Sequence, residues 1–207
     1  MRKLTALLFC LFLCFGMVGG ASAFTFDMGN GSYLDGDAMT DPGLIMWADV
    51  YNSVQYQNFT LTPGNSYTFL FAKIGTMEEW VNDDDINAQA ISAHVDFDVP
   101  DTVQIVSGST NGFIGFLGFN QGWNLTWDGP ITYAGPDGLT FEVSLSNAGF
   151  ESGWWEGPDG LCGDAYADIY ATVTLCADPA PVPLPGAVWL LGSGLLGLGG
   201  WRRFRKS

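Results

Sequence analysis

Residues 169–175 read IYATVTL, and this stretch decides the fold class. Ile169, Ala171, Val173 and Leu175 are apolar, whereas Tyr170, Thr172 and Thr174 between them carry polar tips. A period of two puts the first set on one face of an extended strand and the second on the other. The pattern recurs outward along the chain. Phe141, Val143 and Leu145 alternate with Glu142, Ser144 and Ser146; Val95, Phe97 and Val99 alternate with His94, Asp96 and Asp98; Phe59 and Leu61 alternate with Asn58, Thr60 and Thr62. Ser66–Ile74 and Phe113–Phe119 are apolar on both faces, the pattern of central strands. Helical spacing is confined to Thr76–Ala93, and the acidic middle of that segment reads as a loop.

Turn formers separate the runs: Thr62-Pro63-Gly64-Asn65, Asp128-Gly129-Pro130, and Gly-Pro-Asp-Gly at both 135–138 and 157–160. Proline presets φ at the second turn position, and glycine accepts positive φ two residues later. Short alternating strands between such turns predict an all-β domain over residues 24–178, an antiparallel β-sandwich or jelly roll.

Both ends of the chain read as addresses. Residues 1–23 hold a basic start (Arg2, Lys3), an apolar core from Leu4 to Val18 and a small-x-small site at Ala21-Ser22-Ala23, the plan of a cleavable secretion signal. Cys10 and Cys14 follow Phe9 and Leu13, which are too large for lipoprotein processing. At the other end, residues 179–185 form a proline-stiffened spacer, residues 186–201 an apolar segment read as one transmembrane helix, and residues 202–207 a basic tail. Counted from Leu184, the apolar run would span about 27 Å as a helix, just enough for a hydrocarbon core. Arg202, Arg203, Arg205 and Lys206 would stay cytoplasmic and leave the preceding domain outside.

Charge separates these parts sharply. All 22 acidic residues lie between Phe24 and Pro183, with Lys73 the only Lys or Arg among them, so that span carries −21. Nucleic acid is excluded as a partner, because phosphate neutralisation needs Lys or Arg. Cys162 and Cys176 are the two cysteines left after the signal, and an oxidising compartment predicts a bridge between them. That bridge would close a loop of about 15 residues and stabilise by about 3 kcal/mol.

The C-terminal order of Val182-Pro183-Leu184-Pro185, apolar segment and terminal arginines resembles the PEP-CTERM sorting signal, in its VPLPA-type variant. Gly186 stands where that variant usually has Ala, and Leu184 where the commoner motif has Glu. The resemblance covers about 26 residues. It implies a membrane-embedded protease, the exosortase, as partner, and a Gram-negative host, often one that makes exopolysaccharide. It also implies a precursor anchored in the inner membrane and a processed protein at the cell surface or in the extracellular matrix. The 24–178 domain resembles, more loosely, β-sandwich ectodomains that precede bacterial surface anchors, a likeness that names no activity.

Chemistry-bearing residues are sparse. His94 is the single histidine, on a polar strand face beside Asp96 and Asp98. Such a pair has a spacing compatible with glycoside hydrolysis. Asp35-Gly36-Asp37 with Asp41, and Asp83-Asp84-Asp85, are acidic loops that could hold a structural calcium ion, though neither has the EF-hand pattern. No catalytic residue and no certain cofactor is assigned. Trp154-Trp155 cannot both point inward from an extended segment, and an exposed indole could stack on a sugar. The expectation is a non-enzymatic exported protein associated with exopolysaccharide; a lectin-like module or a glycan hydrolase is the alternative.

Overall fold

A computed structural model describes residues 23–78, 80–115, 120–135, 138–151 and 166–177. All of them belong to one compact unit, Gly20–Pro179. The secretion signal, the Pro-rich spacer with Val182–Pro185, the apolar segment, the basic tail, Cys162 and Trp154-Trp155 lie outside the described residues. Among the described residues the secondary structure is strand with two single 3₁₀ turns, and no helix is long and apolar enough to cross a membrane.

The strands form two antiparallel sheets. One runs β11 (Ala148–Glu151), β8 (Gln121–Trp127), β7 (Thr102–Ile114), β6 (Gln89–Val99), β1 (Phe24–Met28), β4 (Asn58–Leu61), with β2 (Tyr33–Asp35) also along β6. The other runs β3 (Met46–Val50), β5 (Ser66–Thr76), β12 (Tyr166–Ala177), β10 (Thr140–Leu145), β9 (Ile131–Ala134). Strands adjacent in sequence often lie in different sheets, so the connecting turns carry the chain across the core.

The alternation expected from sequence sets which side chains line that core. Ile169, Ala171, Val173 and Leu175 are fully buried on β12, and Phe141 and Val143 on β10. Phe26 of the seven-stranded sheet meets Phe141 of the five-stranded one edge to face at 5.1 Å, and Phe97 meets Phe141 at 5.3 Å. Aromatic pairs in this geometry add to the area they bury. The Thr62–Asn65 turn carries the chain from β4 to β5: Asn65 N–H donates to Thr62 O at 3.0 Å, and Gly64 takes φ +87°. That φ is costly for any residue with a Cβ.

Three expectations need correction. Val99 ends β6 exposed rather than facing the core. Phe113–Phe119 is not one central strand, because β7 ends at Ile114 and pairs it with Gln121 of β8. The hairpin closes there, with Gly115 N–H donating to Asn120 O at 2.7 Å. Among the described residues there is no disulfide: Cys176, the expected partner of Cys162, is a free, exposed thiol. Following buried Leu175, it falls on the outer face of β12, its Sγ 3.7 Å from Thr174 O.

Phe141 joins the two sheets, so Phe141→Ala should destabilise the domain by about 3–5 kcal/mol. Val99→Ala should stay within about 0.5 kcal/mol, as exposed positions do. Urea unfolding of both variants checks this, with a lower midpoint expected for Phe141→Ala alone.

Candidate functional site

His94 and Asp96 sit on the outer face of β6, as their alternation predicts, but both are engaged in local structure. The His94 ring stacks under Tyr33 at 4.1 Å, nearly parallel, and its Nε2 lies 3.2 Å from Asp35 Oδ1. Asp96 holds the break between β1 and β2. Its carboxylate accepts from Gly31 N–H at 2.8 Å, its own N–H donates to Ser32 Oγ at 3.0 Å, and its carbonyl accepts from Gly29 N–H. Asp98, the other carboxylate on this face, is exposed near the end of β6.

The acidic loops behave differently from one another. Asp35, Asp37 and Asp41 are exposed, as are Asp83 and Asp84. Asp85 turns inward and is 1 % exposed. It fits because β7 has glycine at 112: a Cβ there would come within 2.8 Å of Val81 Cγ1 and 3.2 Å of Asp85 O. The loop is tied down by Gly112 N–H to Asp85 O, Val81 N–H to Gln121 Oε1 and Asn82 N–H to Asp85 Oδ2, each at 2.8 Å. Burial pushes the Asp85 carboxyl above its ordinary range; the Asn82 N–H opposes this, and the charges of Asp84 and Asp41 add to it. Glu78 is raised by burial and then by the Asp85 charge. Among the described residues no three His, Cys, Asp or Glu side chains group so as to hold a metal ion.

A different cluster forms on the outer face of the five-stranded sheet. Register builds it in rows. Trp47 of β3 and Tyr166 of β12 both lie opposite Gly75 of β5. Two residues along, Asp49 and Asp168 both lie opposite Lys73. Lys73 Nζ is 3.8 Å from Asp49 Oδ2 and 5.8 Å from the centre of the Trp47 ring. Beyond this ionic row, the Tyr51 hydroxyl donates to Asp168 Oδ1 at 2.8 Å, and Tyr170 follows on β12, 45 % exposed. The bond to Asp168, then burial and the Asp168 charge, push the Tyr51 hydroxyl up to about 12.

Sequence reasoning missed this cluster. Its members come from three separated segments, and only register brings them together. Two signals were present: Tyr166, Asp168 and Tyr170 all fall on the outward parity of β12, and Lys73 is the one cation of the acidic span.

Two outcomes follow from the shifted groups. Asp85 contributes most stability when protonated, below its unfolded pKa, and that contribution falls as pH rises through its raised folded value. Asp85→Asn should therefore raise the melting temperature at neutral pH, with the gain shrinking as pH falls into the ordinary carboxylate range; calorimetry across pH reads this. For Tyr51 the hydroxyl's hydrogen bond persists below the ordinary tyrosine pKa of about 10 and is lost as pH rises through about 12. Ultraviolet titration should show a late transition near pH 12, absent from Tyr51→Phe and moved towards the ordinary tyrosine value in Asp168→Asn.

No protein family, curated protein or solved structure matches the chain.

Proposed function

We propose that this chain is the precursor of an exported, non-enzymatic protein of the cell surface or extracellular matrix. Its acidic β-sandwich domain is delivered by a secretion signal and held at the inner membrane by its C-terminal segment. An exosortase then processes it, in a Gram-negative host whose matrix contains exopolysaccharide. The observation that carries this reading is the order of the tail: Val182-Pro183-Leu184-Pro185, then an apolar run, then Arg202, Arg203, Arg205 and Lys206. Charge distribution supports it, since a span of −21 and a cationic cluster stand on opposite sides of the apolar run, the asymmetry of an external domain with a cytoplasmic tail. The non-enzymatic part is supported by the engagement of His94 with Tyr33 and Asp35, and of Asp96 with the Gly29–Ser32 loop.

Fractionation of the producing cells tests the sorting reading. Wild-type protein should lose the mass of its tail and leave the inner membrane. Pro183→Ala with Pro185→Ala, or deletion of Arg202–Lys206, should leave most of the chain there as full-mass precursor. Identical mass and distribution for wild type and both variants would refute it.

A further inference from the structure

We infer that the outer face of the five-stranded sheet, from Trp47 and Tyr166 across Asp49, Lys73 and Asp168 to Tyr170, is a binding face for neutral hexopyranose polysaccharide. A pyranose ring presents C–H faces and a rim of hydroxyls, so it needs flat apolar surface beside fixed donors and acceptors. This face alternates the two. Aromatic side chains stand on both sides of the ionic row, and successive rows on one strand face lie about 7 Å apart. The rings are available: Tyr166 is 48 % and Tyr170 45 % exposed.

The polar row retains unused hydrogen-bonding capacity. Asp168 accepts the Tyr51 hydroxyl at Oδ1, which leaves Oδ2 for a sugar hydroxyl. Asp49 directs Oδ2 towards Lys73, and an ammonium carries three donors. Hydrogen bonds from neutral hydroxyls to these ionised groups are of the stronger, charge-assisted kind. Tyr51 fixes the Asp168 carboxylate in place, which lowers the ordering cost of binding.

Charge selects the class of glycan. The span from Phe24 to Pro183 carries −21, and its only ammonium already stands between two carboxylates and over an indole. Uronate, sulfate or pyruvate groups would meet net repulsion with no free cation to receive them. A polycationic amino-sugar chain would be attracted to the acidic surface at large, without needing the rings. A neutral chain is the ligand for which the aromatic rows decide binding.

Calorimetry on the purified full chain in a non-glycosidic detergent tests this, with cellohexaose and mannohexaose as neutral probes beside hexagalacturonate and a chitosan hexamer. The expected result is saturable binding of at least one neutral hexaose that persists in 0.5 M salt. Tyr166→Ala with Tyr170→Ala should weaken it at least tenfold while preserving the far-ultraviolet circular dichroism. Asp168→Asn should weaken it severalfold, and Tyr33→Ala, on the opposite sheet, should leave it unchanged. Should the double variant fail to fold, Tyr170→Ala alone carries the same test. The inference is overturned if neither neutral hexaose binds, if Tyr33→Ala weakens binding as much as the double variant, or if only a charged probe binds. The purified precursor is used, so a negative result here leaves the sorting proposal untouched.

Discussion

The contact between Phe26 and Phe141, reinforced by Phe97, is the constraint on which the rest of the structure depends. Here the two sheets meet ring to ring, as Phe59 also does with Tyr67 nearer the β4–β5 turn, and the contact fixes the parity of β1, β6 and β10 together. A strand slipped by one residue would turn every inward side chain outward. Once Phe141 is buried, Glu142 and Ser144 must face solvent. The register of β10 with β12 then sets Thr174 and Thr172 outward in turn, and alternation along β12 carries this on to Tyr170. The outer face that carries Lys73 is thus a by-product of the packing inside.

The alternation was legible because it is local: Ile169 to Leu175 state their inward face without reference to any other segment. The Thr62–Asn65 turn was legible for the same reason, since proline and glycine encode dihedral angles. Where a strand stops was harder to read. Phe113–Phe119 is continuously apolar, yet β7 gives way to a hairpin after Ile114, because pairing with Gln121 and the bond between Gly115 and Asn120 end the ladder. The aromatic and ionic rows were not legible at all, because which residues lie opposite Lys73 is a property of register and not of spacing along the chain.

Acid residues that look equivalent in a run part company in the fold. Asp83 and Asp84 remain in water, while Asp85 is carried under the loop by the space that Gly112 leaves. Thr110 and Trp123 lie on the same inner face of β7 and β8, and their Oγ1 and Nε1 are buried with no hydrogen-bond partner. Polar groups in such settings raise the free energy of the folded state. This end of the domain is held less favourably than the phenylalanine-lined part, and it is the end where the connection between β5 and β6 crosses the core.

The strand lengths carry a consequence for behaviour at high concentration. The inner strands β5, β6, β7 and β12 run 11, 11, 13 and 12 residues, whereas β11, β4 and β9 at the margins have four each and β3 has five. A sheet margin presents unpaired N–H and C=O groups that can template addition of a strand from another molecule, and brevity is one way to blunt that tendency. With the mutual repulsion of strongly anionic copies added, many such domains can crowd against one another without zipping into fibres.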